Sequence, residues 1–162
     1  MDRCFRDYTI KRTCTKSYKD YRRYKEYLKH DFNSRCAYCN LMDSMVTSFF
    51  EIDHFVPQRI AIEHGFDFLI TDYNNLVYAC RNCNHEKSDQ FDGDLAKNCY
   101  ENKLFYNPVE CDYNTIFYRN EYGTISSRDS LGNEMITRLK LYRTIHNLAW
   151  ICERLALLEK NS

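Results

Sequence analysis

At 162 residues the chain is long enough for one domain with a real core. Lys+Arg and Asp+Glu both number 23, so the net charge is zero and carries no overall signature of a nucleic-acid partner. No apolar run approaches the ~20 residues of a membrane span, the N-terminus has no signal-like apolar stretch, and four glycines and two prolines are too few to suggest a flexible hinge between domains.

Residues 1–15 show no clear period and read as a loosely ordered arm. Residues 1–30 hold ten Lys/Arg against four Asp/Glu, so positive charge gathers at this end and the remainder is acidic. Ser17 to about Lys29 lacks Gly and Pro and reads as a helix with Ser17 as its cap. Tyr21, Tyr24 and Leu28 share one stripe, while Lys19, Arg22, Arg23 and Lys25 cover much of the rest. Two readings stay open. The helix lies against phosphates, with Arg22 and Arg23 as contacts, or it is a solvated amphipathic helix whose tyrosines pack on the core.

Cys36-Ala-Tyr-Cys39 and Cys80-Arg-Asn-Cys83 follow. Two thiolates separated by two residues can approach one ion from a tight turn, and a second pair completes the tetrahedron that Zn²⁺ favours. Such pairs fit a reducing, cytoplasmic setting better than a secreted disulfide scaffold. Four thiolates leave no open position on the ion, so this zinc is expected to be structural. Cys4, Cys14, Cys99, Cys111 and Cys152 have no paired spacing and read as small hydrophobes or free thiols.

Met45–Ile52 is rich in Phe, Val and Thr and reads as a strand, with Asp53-His54 at its end and Pro57 stopping it. Glu51 shares a strand face with Asp53. Residues 58–74 look like a long connection with one helical turn around Ile60–His64. Leu76–Ala79 is the returning strand, and a helix is expected to start at Asn84, running through His85, Glu86 and Lys87.

Asp53-His54-x-x-Pro57, then Asn75-Leu76, then Cys80-x-x-Cys83-Asn84-x-x-Lys87 resembles the HNH endonuclease family in its four-cysteine, zinc-knuckle version. The likeness covers residues 36–88. It implies an α+β fold: a ββα-metal (His-Me finger) core with a Cys4 zinc site, between an N-terminal basic helix and a C-terminal hairpin plus helices. The expected division is 1–35 for the basic arm and helix, 36–90 for the core and 91–162 for the extension, all in one compact unit. The resemblance makes His54 the general base and gives Asp53 and Asn84 one catalytic cation, Mg²⁺ or Mn²⁺. Asn75 would hydrogen-bond backbone near His54 and fix its ring, and Lys87 would contact a phosphate. The third signature position, often histidine in the family, is Asn84 here, and His85 sits one place out of register. An amide oxygen binds a hard cation more weakly than a carboxylate does. A histidine has the pKa to deprotonate water near neutrality, and a divalent ion neutralises phosphate charge and stabilises the leaving oxygen. Strand alternation would place Asp53 and His54 on opposite faces unless the strand breaks at His54.

Beyond residue 90, Leu104-Phe-Tyr-Asn-Pro108 is a short apolar segment. Tyr113–Tyr118 and Thr124–Ser127 flank a turn with Gly123 and read as a hairpin. Glu134–Leu139 reads as a short helix capped by Asn133, and residues 142–159 as a longer amphipathic helix. This layout resembles the extension of HNH proteins of bacterial anti-phage defence, some of which work beside an ATPase. The expected function is metal-dependent hydrolysis of phosphodiester bonds in nucleic acid, with double-stranded DNA as the family's usual substrate. Two alternatives stand beside it: a zinc-stabilised nucleic-acid-binding module with weak or no catalysis, and a zinc-stabilised interaction protein.

Overall fold

The computed structural model describes residues 2–96 and 101–160; Cys99 lies outside them. The fold is mixed α+β. It holds an antiparallel pair, β2 (Glu51–His54) with β3 (Leu76–Ala79), and a three-stranded antiparallel sheet ordered β1 (Arg3–Cys4), β4 (Phe117–Arg119), β5 (Ile125–Ser127). The helices are α1 (Lys25–Asp31), α2 (Gln58–Glu63), α3 (Arg81–Lys87), α4 (Tyr113–Ile116), α5 (Ser130–Arg138) and α6 (Thr144–Lys160). None is long and apolar enough to cross a membrane among the described residues.

The N-terminal arm is not loose. Arg3 and Cys4 pair with Arg119 and Tyr118, and Phe5 is buried against the rings of Tyr113 and Phe117. Asn114 fixes the arm further, accepting from Arg6 N and donating to Arg6 O, both at 2.9 Å. These partners lie more than a hundred positions away, where no local period can reveal them.

The expected helix from Ser17 starts later. Asp20, not Ser17, caps a 3-10 turn at Tyr21–Tyr24 by accepting from Arg22 N, and α1 follows it. Tyr24 and Leu28 enter the core as their stripe requires. The strand expected from Met45 also starts late. Asp43–Met45 forms a 3-10 turn, and pairing begins at Glu51. Within β2 and β3 the register sets Glu51 opposite Ala79, Asp53 opposite Val77 and His54 opposite Leu76. Residues 58–74 hold more structure than one helical turn: α2, then 3-10 turns at Asp67–Ile70 and Tyr73–Asn75.

The helix after β3 begins three residues before Asn84. Cys80 is its N-cap, with its sulfur accepting from Cys83 N at 3.4 Å. Asn84 therefore sits within α3 and not at its start. In the C-terminal part α4 takes the first residues of the expected hairpin, and β4 starts only at Phe117. Gly123 closes the hairpin at φ +77, where a Cβ would come 2.7 Å from the Trp150 ring, so only glycine fits. Asp129, not Asn133, caps α5, accepting from Gly132 N at 2.7 Å.

Arg119 ties these layers together. Buried beside the cysteine turn, it donates to Gly123 O at 2.7 Å, His146 O at 3.2 Å and Cys39 O at 3.1 Å. Arg35 adds a two-pronged ion pair with Glu153 of α6, at 3.2 and 2.8 Å.

Candidate active site and thiolate metal centre

Cys36, Cys39, Cys80 and Cys83 converge, with all four sulfurs within 4.8 Å of one another and all four residues buried. Cys39 Sγ and Cys80 Sγ stand 3.8 Å apart. Zn–S bonds of about 2.3 Å place the corners of a tetrahedron about 3.8 Å apart, so the cluster fits a zinc ion. Backbone bonds shape the turn that presents the first pair: Asn40 N donates to Cys36 O at 3.0 Å and Ala37 N donates to Tyr78 O at 2.8 Å. Asn40, at φ 62, turns the chain out of the turn. The cluster thereby fastens the turn to the end of β3 and the start of α3.

His54 closes β2. Its Nε2 lies 2.9 Å from Ile70 O. A carbonyl can only accept, so Nε2 carries the proton and Nδ1 keeps its lone pair. Gln58 Nε2 donates to Nδ1 at 3.3 Å, and the Tyr21 ring meets the imidazole edge-on with centroids 4.7 Å apart. Burial pulls the His54 pKa below its ordinary value, against opposing pulls from Ile70 O and Asp53. The ring is thus neutral near pH 7, with its basic nitrogen, Nδ1, engaged by the Gln58 amide, which a water would have to displace.

Asn75 is fully buried. It accepts from Val56 N at 2.8 Å and donates to Val56 O and Leu69 O, both at 3.0 Å. Its amide locks the chain just after His54 to the turn that carries Ile70 O, and so holds the imidazole through its hydrogen-bond partner.

Asp53 is also buried. Its Oδ2 accepts from Tyr38 OH at 2.5 Å and its Oδ1 accepts from Lys87 Nζ at 3.2 Å. Burial, and then the charge of Asp53, push the Tyr38 phenol well above its usual pKa, so it stays a donor. Lys87 corrects the sequence expectation. It is fully buried, and its ammonium also donates to His54 O at 2.9 Å, so it braces the strand end instead of meeting a phosphate.

Asn84 Nδ2 donates to Glu51 Oε2 at 2.7 Å, which leaves the amide oxygen as the free end. Glu51, Asp53, His54, Gln58, Asn84 and His85 line one open groove of about 870 Å³. Arg22, Lys25 and Tyr21 line it too, bringing the basic 3-10 turn beside His54. Arg23 is not in the lining and lies over the Tyr18 ring at 4.2 Å. Arg59 lines the groove but is held by Asp89 at 2.5 Å and Glu63 at 2.8 Å. Reading the sequence missed Gln58 and Tyr38. Gln58 stands four positions after His54 across a proline, and Tyr38 lies inside the first cysteine pair, and neither spacing signals a contact with the site. Glu51 had a signal in its shared strand face with Asp53.

The HNH endonuclease family model matches residues 36–90. The chain is also 39% identical over 82 residues to the Septu protein PtuB of Bacillus mycoides (strain KBAB4), a match covering 44% of this chain and 27% of that relative. The chain thus aligns with about a quarter of the length of the curated relative. No solved structure matches it. Residues 36–90, which contain the four thiols and the Asp53–His54 strand end, match the HNH endonuclease family.

Proposed function

We propose that the protein is a metal-dependent HNH endonuclease that hydrolyses phosphodiester bonds in nucleic acid, with double-stranded DNA as substrate, and that it serves anti-phage defence. The observation that carries this reading is the His54 imidazole, neutral and held at Nε2 by Ile70 O, lining a groove that Arg22 and Lys25 also line. His54 accepts the proton of the attacking water at Nδ1. Asn75 and Ile70 O keep the ring in the tautomer that leaves Nδ1 basic. Asn84, its amide oriented by Glu51, and Asp53 would hold one divalent cation, Mg²⁺ or Mn²⁺; the Asp53 oxygens are already engaged by Tyr38 and the Lys87 ammonium, so Asp53 could bind it only through a remaining lone pair or after Lys87 moves. When bound, that cation neutralises charge on the scissile phosphate and stabilises the leaving oxygen. Arg22 and Lys25 attract the backbone along the groove. Zn²⁺ in the four-cysteine cluster is the structural ion. Similarity to the Septu protein PtuB supports the defence setting and a protein partner, an ATPase among the candidates.

Cleavage of single- and double-stranded DNA and RNA with added Mg²⁺ or Mn²⁺ tests the reading, using wild type and Asn84→Ala. Wild type is expected to cut duplex DNA only when the cation is present. Asn84→Ala is expected to need a higher cation concentration. Cutting that ignores the cation, or is identical in the two proteins, contradicts the assignment. DNA binding without cutting by zinc-loaded wild type would leave the binding-module reading in its place.

A further inference from the structure

We propose that α6 is a self-association surface, and that its outward stripe of Leu148, Ile151, Leu155 and Leu158 pairs in parallel with the same stripe of a second copy of this chain. The helix has two apolar sides. One faces the body: His146 and Ala149 are buried there, and Glu153 is held by Arg35. At about 100° per residue the four stripe residues fall on the opposite side. They are 54%, 37%, 57% and 65% exposed, too much apolar surface in one row for an ordinary solvated face.

The far end strengthens the case. Every residue from Arg154 to Lys160 is exposed, so the last two turns stand off the body. A helical segment that short does not hold itself in water without packing. The stripe follows steps of three, four and three residues, the a and d positions of two heptads.

Charge selects the occupant and its direction. Arg154 flanks the stripe on one side and Glu159 on the other. In a parallel pair unlike flanks meet, so Arg154 of one copy reaches Glu159 of the other, five positions on, the spacing of g-to-e′ ion pairs in coiled coils. In an antiparallel pair like flanks meet, and Arg154 would face its own kind. A second copy aligned in parallel satisfies both the apolar row and its charged borders.

Sedimentation equilibrium on the zinc-loaded full chain tests this, over a wide micromolar range. Wild type is expected to be a dimer. Leu155→Glu is expected to weaken self-association on the order of a hundredfold, with zinc content and melting of the body unchanged because the position is exposed, and with helix content falling only by the end turns that the partner helix would pack. Arg154→Glu is expected to weaken it, and Arg154→Glu with Glu159→Arg to restore it. A wild type that is monomeric throughout, or a dimer indifferent to Leu155→Glu, overturns the proposal and gives the stripe to a different partner. Failure of the charge swap to restore the dimer overturns the parallel pairing. None of these readouts depends on nuclease activity.

Discussion

Lys87 Nζ and Asp53 Oδ1 form an ion pair 3.2 Å apart with almost no exposure of either residue. The pair joins the end of α3 to the strand that carries His54. Removing one partner would leave the other charge stranded away from water. Lys87→Met is expected to cost about 3–5 kcal/mol in urea unfolding. A cost near zero, with a lowered salt dependence of DNA binding, would mean that the lysine faces phosphate after all.

The four-thiolate cluster caps α3 and closes on the turn at Cys36–Cys39, so its ion should be part of the fold. Zinc analysis is expected to find one ion per chain. Strong chelation or Cys83→Ser is expected to lower the melting temperature by roughly 10 °C or more, equivalent to several kcal/mol for a chain of this size. Re-addition of Zn²⁺ should restore wild type. Melting that ignores the chelator would contradict this.

His146 gives a pH dependence with a definite sign. It is buried, and among the described residues its Nδ1 has no hydrogen-bond partner. Burial lowers its pKa to about 4, opposed by Cys36 and reinforced by Arg119 and Arg143. The unfolded chain binds the proton near pH 6.5, its ordinary value. Above that pH both states are neutral and stability is complete. As pH falls from about 6.5 to about 4 the unfolded state gains the proton first, and stability is lost by up to roughly 3 kcal/mol. His146→Gln should flatten that slope relative to wild type, read as unfolding free energy against pH. Equal slopes would place the acid sensitivity elsewhere.

Arg22 is exposed and lines the groove, whereas Arg23 lies against Tyr18. Arg22→Ala is expected to reduce the salt dependence of DNA binding by about one phosphate contact. Arg23→Ala is expected to change it less. The reverse order would move the nucleic-acid path off the groove.

Much of the site was legible because its signals are local. The two cysteine pairs announce a shared ion by spacing, and Leu76–Ala79 is an apolar run of strand length that the structure keeps without change. Asn75 was expected to bind backbone near His54, and it does so at Val56 and Leu69. What escaped was non-local or depended on burial. Lys87 looks like a surface lysine until β2 is laid across α3. The arm at Phe5 has no period of its own because its partners are Tyr113 and Phe117. A thiol serving as the helix cap at Cys80 moved the start of α3 to Arg81, where ordinary cap preferences give no warning.

The most direct test of the proposed chemistry is nicking of supercoiled plasmid by zinc-loaded wild type and His54→Ala in Mg²⁺ or Mn²⁺. Wild type should convert the plasmid, and His54→Ala, with its zinc content and melting temperature retained, should be at least about a hundredfold slower. Equal rates for the two proteins would show that the imidazole at the end of β2 is not the base.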